Sequence, residues 1–168
     1  MERTARLRDE IGAGIAAGIT GGILLAVCLQ GAAVLAGTPL GTAIVQNYSF
    51  IASVAIGPSA FRNPGSAVPI GILIHFCIAI AWALGYVYLV RAQPQLIARP
   101  IISGLVFGLV VDAFMNIMLI MGGVYHRPSS PGVFGLSLLA HCVFYGIPVA
   151  VVVSRLLSRS STASGQTA

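Results

Sequence analysis

Three ionisable side chains stand inside long apolar runs of this chain: His75, Asp112 and His141. Asn116 follows Asp112 by four residues, and Tyr145 follows His141 by four. Such groups are expensive in an apolar medium and carry a functional expectation by default. Three kinds of chemistry suit this set. The side chains can hydrogen-bond across helices and fix one packing arrangement, at about 0.6–2 kcal/mol per bond in a membrane. They can form a small-solute or proton-linked pathway, with the carboxylate and imidazoles titrating. His75 and His141 can also serve as the two axial ligands of a b-type haem. Hydrolytic chemistry is not expected. The chain has no Gly-x-Ser-x-Gly, no His-Glu-x-x-His and no paired carboxylates.

Spacing says how the elements must present these groups. Gly104, Gly108, Asp112 and Asn116 recur every four residues and share one helical stripe. Ser137, His141 and Tyr145 make a similar stripe. Gly71, His75 and Ala79 make a third, which Trp82 and Tyr86 continue. The two histidines lie about 10–12 Å into their spans at 1.5 Å per residue. Asp112 falls near the middle of its own. The expectation is that all three stripes turn inward and that Asp112 pairs with a histidine.

Composition decides the medium. Of 168 residues, 57% are hydrophobic and 8% charged, and the mean hydropathy is +0.95. Soluble domains carry about 25% charged residues, so a soluble globular fold is excluded. All nine basic residues are arginine, an Ala-, Gly- and Arg-rich bias that fits a bacterial source. The net charge of +5 does not point to nucleic acid, because the arginines flank apolar runs instead of forming a patch. Cys28, Cys77 and Cys142 fall singly inside apolar runs. They read as small buried hydrophobes, with no metal site and no disulfide framework.

Four runs are long enough to cross a bilayer, which takes about 20 residues: residues 11–36, 68–90, 101–121 and 133–153. Only helices satisfy the backbone over such a length without water. The fold class is therefore all-α, a four-transmembrane-helix bundle, with residues 1–157 as a single membrane domain. Pro69, Pro100 and Pro131 mark helix starts, where a missing N–H costs nothing. Gly122-Gly123 closes the third span, and His126 to Gly132 reads as a polar turn. Pro148 predicts a local kink in the fourth span. The first run, 26 residues from Ile11 to Ala36, is too long for a cleaved signal's apolar region.

Residues 41–56 are apolar but carry Gln46, Asn47, Tyr48 and Ser49 at their centre. They predict an interfacial or re-entrant segment between the first two spans, with an ordinary loop as the alternative. Residues 158–168 are rich in Ser, Thr and Gly and predict a disordered cytoplasmic tail. With four spans both termini share a side. That side holds Arg3, Arg6, Arg8, Arg91, Arg99, Arg155 and Arg159, and the other holds Arg62 and Arg127. The bias predicts cytoplasmic termini in the bacterial inner (plasma) membrane.

Small residues let helices approach closely in lipid. Gly14, Gly18 and Gly22 repeat every four residues in the first span, as Gly104 and Gly108 do in the third. Internal packing of the bundle is the expected use, and a homodimer seam is the alternative. The expected partners are the lipid bilayer and, beyond it, a second copy or a larger membrane complex, not nucleic acid.

One resemblance rests on short motifs. Gly57-Pro58-Ser59-Ala60-Phe61 precedes His75-Phe76 and an Ala-rich helix that reaches Tyr88. Gly104, Gly108, Met115-Asn116 and His141 follow, and then Tyr145-Gly146-Ile147-Pro148. This order resembles small uncharacterised bacterial inner-membrane proteins of the YagU-like kind, over about two-thirds of the chain. The resemblance implies a four-helix membrane fold and no defined activity. The function expected is a structural or accessory membrane protein that is not an enzyme and has no cofactor. A transporter or channel using His75, Asp112 and His141 is the alternative.

Overall fold

The computed structural model describes residues 2–121 and 130–165. The chain is all-α, with no strand among the described residues. In chain order it forms α1 (Glu2–Leu35), α2 (Leu40–Ile56), α3 (Ser59–Arg62) and α4 (Pro64–Ala92). A short 3-10 turn (Pro94–Ala98) leads to α5 (Pro100–Met121). The last span is α6 (Pro131–Leu139), a π-helical segment (Ala140–Gly146) and α7 (Ile147–Gly165). Four stretches are long and apolar enough to cross a membrane: Leu7–Leu35, Pro64–Ala92, Pro100–Met121 and Pro131–Ser158.

The bundle is held by small side chains inside and displays large ones outside. On α1, Ala13 and Ala17 are buried, while Ile11, Ile15, Ile19 and Ile23 are exposed. On α5, Phe107 and Val111 are buried while Ile102, Val106, Leu109 and Val110 face outward. That outer surface suits lipid, because the bilayer removes the drive to hide isoleucine and packing then favours small residues between helices. At the contact of α4, α5 and the π segment, Phe107 collects Trp82, Tyr86 and Tyr145 at ring separations of 6.2, 4.9 and 6.3 Å.

Several boundaries differ from the sequence expectation. α4 opens at Pro64, not residue 68, so Pro69 lies inside the helix rather than at its start. Pro64 takes the first position instead, and the carbonyl of Asn63 receives the N–H groups of Ser66 and Ala67. Pro131 does open α6, behind Ser130, whose hydroxyl accepts from the Val133 N–H. α7 runs through Ser158 to Gly165 where a disordered tail was expected. No proline or glycine interrupts the chain between Pro148 and Gly165, so nothing stops the helix. The strain that Pro148 introduces is taken up one turn earlier. The backbone widens into the π segment, and the Ile147 N–H bonds the Cys142 carbonyl. None of the three cysteines is fully buried: Cys28 and Cys142 are half-buried and Cys77 is exposed, all three as free thiols. Gly122-Gly123 and residues 126–129 of the expected polar turn, Arg127 among them, lie outside the described residues.

α2 is a helix and not a loop. Its buried face, with Tyr48, Ser49 and Ala52, meets α4. The Tyr48 backbone presses on Gly71, and the Tyr48 ring meets the His75 ring edge-on at 6.1 Å. These contacts lie roughly 10–16 Å along α4 from Pro64 and seat α2 against the first half of that helix. At the far end of the bundle, the buried Glu10 carboxylate receives Arg91 at 3.4 Å, joining the start of α1 to the end of α4.

Candidate functional site

Asp112 is 2% exposed. Its Oδ1 accepts a 2.6 Å hydrogen bond from the Ser137 hydroxyl and lies 3.0 Å from His141 Nδ1. The same Nδ1 is 2.9 Å from the Ser137 carbonyl. Carbonyl and carboxylate can only accept, so His141 Nδ1 carries the proton and shares it between them. One carboxylate thus clasps the start of the last span to α5. Asn116 does not join across helices. Its amide donates at 2.8 Å to the backbone carbonyl of Asp112, within its own helix.

The glycines make this reach possible. A Cβ on Gly104 would come within 2.7 Å of the Gly146 carbonyl and the Ile147 Cα. One on Gly108 would stand 2.5 Å from the Cys142 Cα and overlap the His141 carbonyl. Gly146 meets the same contact from the opposite side, against the Gly104 carbonyl and the Gly108 backbone. α5 therefore lies backbone to backbone against the π segment. Asp112, one turn beyond Gly108, sits within bonding distance of Ser137 and His141.

The first-span glycines meet α4. Residues 14, 18 and 22 face Leu84, Ile80 and Phe76 in turn, and at Gly18 a Cβ would stand 2.5 Å from the Ile80 Cα. His75 belongs to this contact. Its Nε2 lies 3.0 Å from the Gly22 carbonyl, so Nε2 carries the proton and donates to α1. Asp112 is thus paired with His141, and His75 with a backbone carbonyl. Tyr145 reaches α4, donating to the Ala79 carbonyl at 2.6 Å.

The two histidines come together at a cavity of about 70 Å³. Its other walls include Met115, Trp82 and Tyr145, with aliphatic side chains between them. Ligand pockets of ordinary size hold about 300–1,000 Å³, so a porphyrin has no room here. His75 has also given Nε2, the nitrogen an axial imidazole normally offers, to Gly22. The residues do not fit a haem.

Two features were missed by sequence reasoning. Ser103 ties Tyr86, at 2.8 Å, to the Leu96 and Arg99 carbonyls, which fastens the turn between α4 and α5. The Glu10–Arg91 pair is the other. Only the position of Glu10 at the foot of an apolar run hinted at it.

No curated protein and no solved structure matches the chain. One family does, over residues 8–164, and it is described as a family of unknown function. That match takes in α1 from Arg8 onward and every span after it, so the chain belongs to the DUF6789 family.

Proposed function

We propose that this chain is a multi-pass protein of the bacterial inner (plasma) membrane, of structural or accessory type, with both termini cytoplasmic and no catalytic activity. The observation that carries the reading is the closed Asp112 clasp. The carboxylate is 2% exposed and receives both Ser137 and His141 on one oxygen. A group held this way serves to fix helix register. Membership of a family of unknown function is compatible with the same reading, and we extend it to a kinship with the YagU-like proteins. Arg91, Arg99 and Arg155 all fall at the end of the bundle where α1 begins, which supports cytoplasmic termini. The first-span glycines pack against α4, which supports use of that seam within the chain; the principal partner in this reading is the bilayer.

A transport role would call for a polar path through the bundle, and the cavity at the histidines is walled mainly by apolar side chains. The test is proton flux in liposomes holding the purified protein. The expected result is no flux above that of empty vesicles. Flux that disappears with Asp112→Asn would replace the structural reading with a proton-linked one.

A further inference from the structure

α4 and the last span run in the same direction, as alternate members of the series. Tyr145 bridges the gap between them at the level of Ala79. One turn back on the same two stripes stand His75 and His141, whose rings are shorter than a phenol. There the gap stays open as the cavity of about 70 Å³. Both rings have fixed tautomers. His75 donates from Nε2 to the Gly22 carbonyl, and His141 donates from Nδ1 to Asp112 and the Ser137 carbonyl. The lone pairs are then on His75 Nδ1 and His141 Nε2, and neither nitrogen has a hydrogen-bond partner among the described residues. His75, His141 and Met115 are all among the residues that line the cavity, so these two nitrogens and a thioether are the donors its walls can offer.

We propose that this cavity binds one copper(I) ion through His75 Nδ1, His141 Nε2 and the Met115 sulfur. Metal-bound histidines characteristically give their other N–H to a backbone carbonyl or a carboxylate, which orients the ring and raises its basicity. Here one has the carbonyl and the other the carboxylate. A thioether with imidazoles is a soft set that suits copper(I). Copper(I) is content with two or three ligands, whereas zinc in structural sites takes four. No group of three or more His, Cys, Asp or Glu suited to a metal occurs among the described residues. Charge agrees as well. Asp112 is a deeply placed carboxylate, and a monovalent cation on the far nitrogen of His141 would balance it without a second acid. The site uses Nε2 of His141 while the clasp uses Nδ1, so it goes beyond the structural reading and does not depend on it.

The test uses the full chain, purified in detergent, and copper(I) kept reduced under anaerobic conditions with a competing chromophoric chelator. Cys28, Cys77 and Cys142 are each changed to Ala in a parallel sample, because free thiols capture copper(I) themselves. The expected result is one copper per chain in both samples, with an X-ray absorption spectrum showing nitrogen and sulfur neighbours. Met115→Leu, which preserves size and apolarity, should remove the sulfur neighbour and weaken binding at least about tenfold. His75→Gln should weaken it further. The proposal is overturned if no copper is retained, if it is lost with the cysteines, or if zinc(II) binds in preference. Parent-like copper binding by Met115→Leu together with His75→Gln would overturn it equally.

Discussion

Gly108 of α5 lies so close to His141 that a Cβ on residue 108 would overlap the His141 carbonyl. This contact joins two features that are separate in the chain, a glycine stripe and a widened π turn. The close approach sets Asp112 against Ser137 and His141. A larger residue at 108 would part the backbones and with them the clasp.

Gly108→Ala should therefore lower the thermal stability of the purified protein, by about 1–3 kcal/mol, as overpacking does elsewhere. Gly85→Ala is the control, since a Cβ there meets nothing within 4 Å. Its melting temperature should match the parent's or exceed it slightly. Equal melting of both variants would show that the α5 contact is looser than described.

Gly18→Leu should be more damaging than Gly31→Leu. A Cβ at residue 18 stands 2.5 Å from the Ile80 Cα, whereas residue 31 faces open space. Light scattering in detergent should give the same oligomeric state for both variants, because the stripe is occupied by α4 of the same chain. A change of oligomeric state with Gly18→Leu alone would make the stripe a seam between copies.

Asp112→Asn keeps an acceptor oxygen for Ser137 and His141, and its melting should stay close to the parent's. Asp112→Leu removes that acceptor. The Ser137 hydroxyl and the His141 N–H then lose their shared partner, and stability should fall by about 1–2 kcal/mol. If Asp112→Leu melts with the parent, the clasp contributes nothing to the fold.

Orientation is checked by reporter fusion. A reporter active only in the periplasm should be silent when joined after Ala168 or within the turn at Arg99, and active when joined at Arg62. The opposite pattern would place the termini outside and overturn the arginine argument.

The spans were legible in the sequence because lipid leaves the backbone one solution. Some twenty apolar residues in a row must be helical wherever they occur. The inward stripe of Gly104, Gly108 and Asp112 was legible for a related reason, since four-residue spacing sets a common face before any partner is known. The four spans, the interior placement of Asp112 and its pairing with a histidine all follow from the chain read as a string.

Which histidine, and through which atom, only the tertiary structure decided. His75 bonds the Gly22 carbonyl, and a carbonyl is carried by every residue, so no side-chain pattern announces it. The π segment is equally hidden. Pro148 signals a disturbed backbone, but whether the helix bends or widens depends on Gly104 and Gly108 pressing against Gly146. The seating of α2 against α4 rests on Gly71 admitting the Tyr48 backbone, a contact between helices whose spacing along the chain says nothing about their angle. Hydropathy and spacing act within one element and can be read locally. Register between elements is set by where two backbones can touch, and that appears only when both are in place.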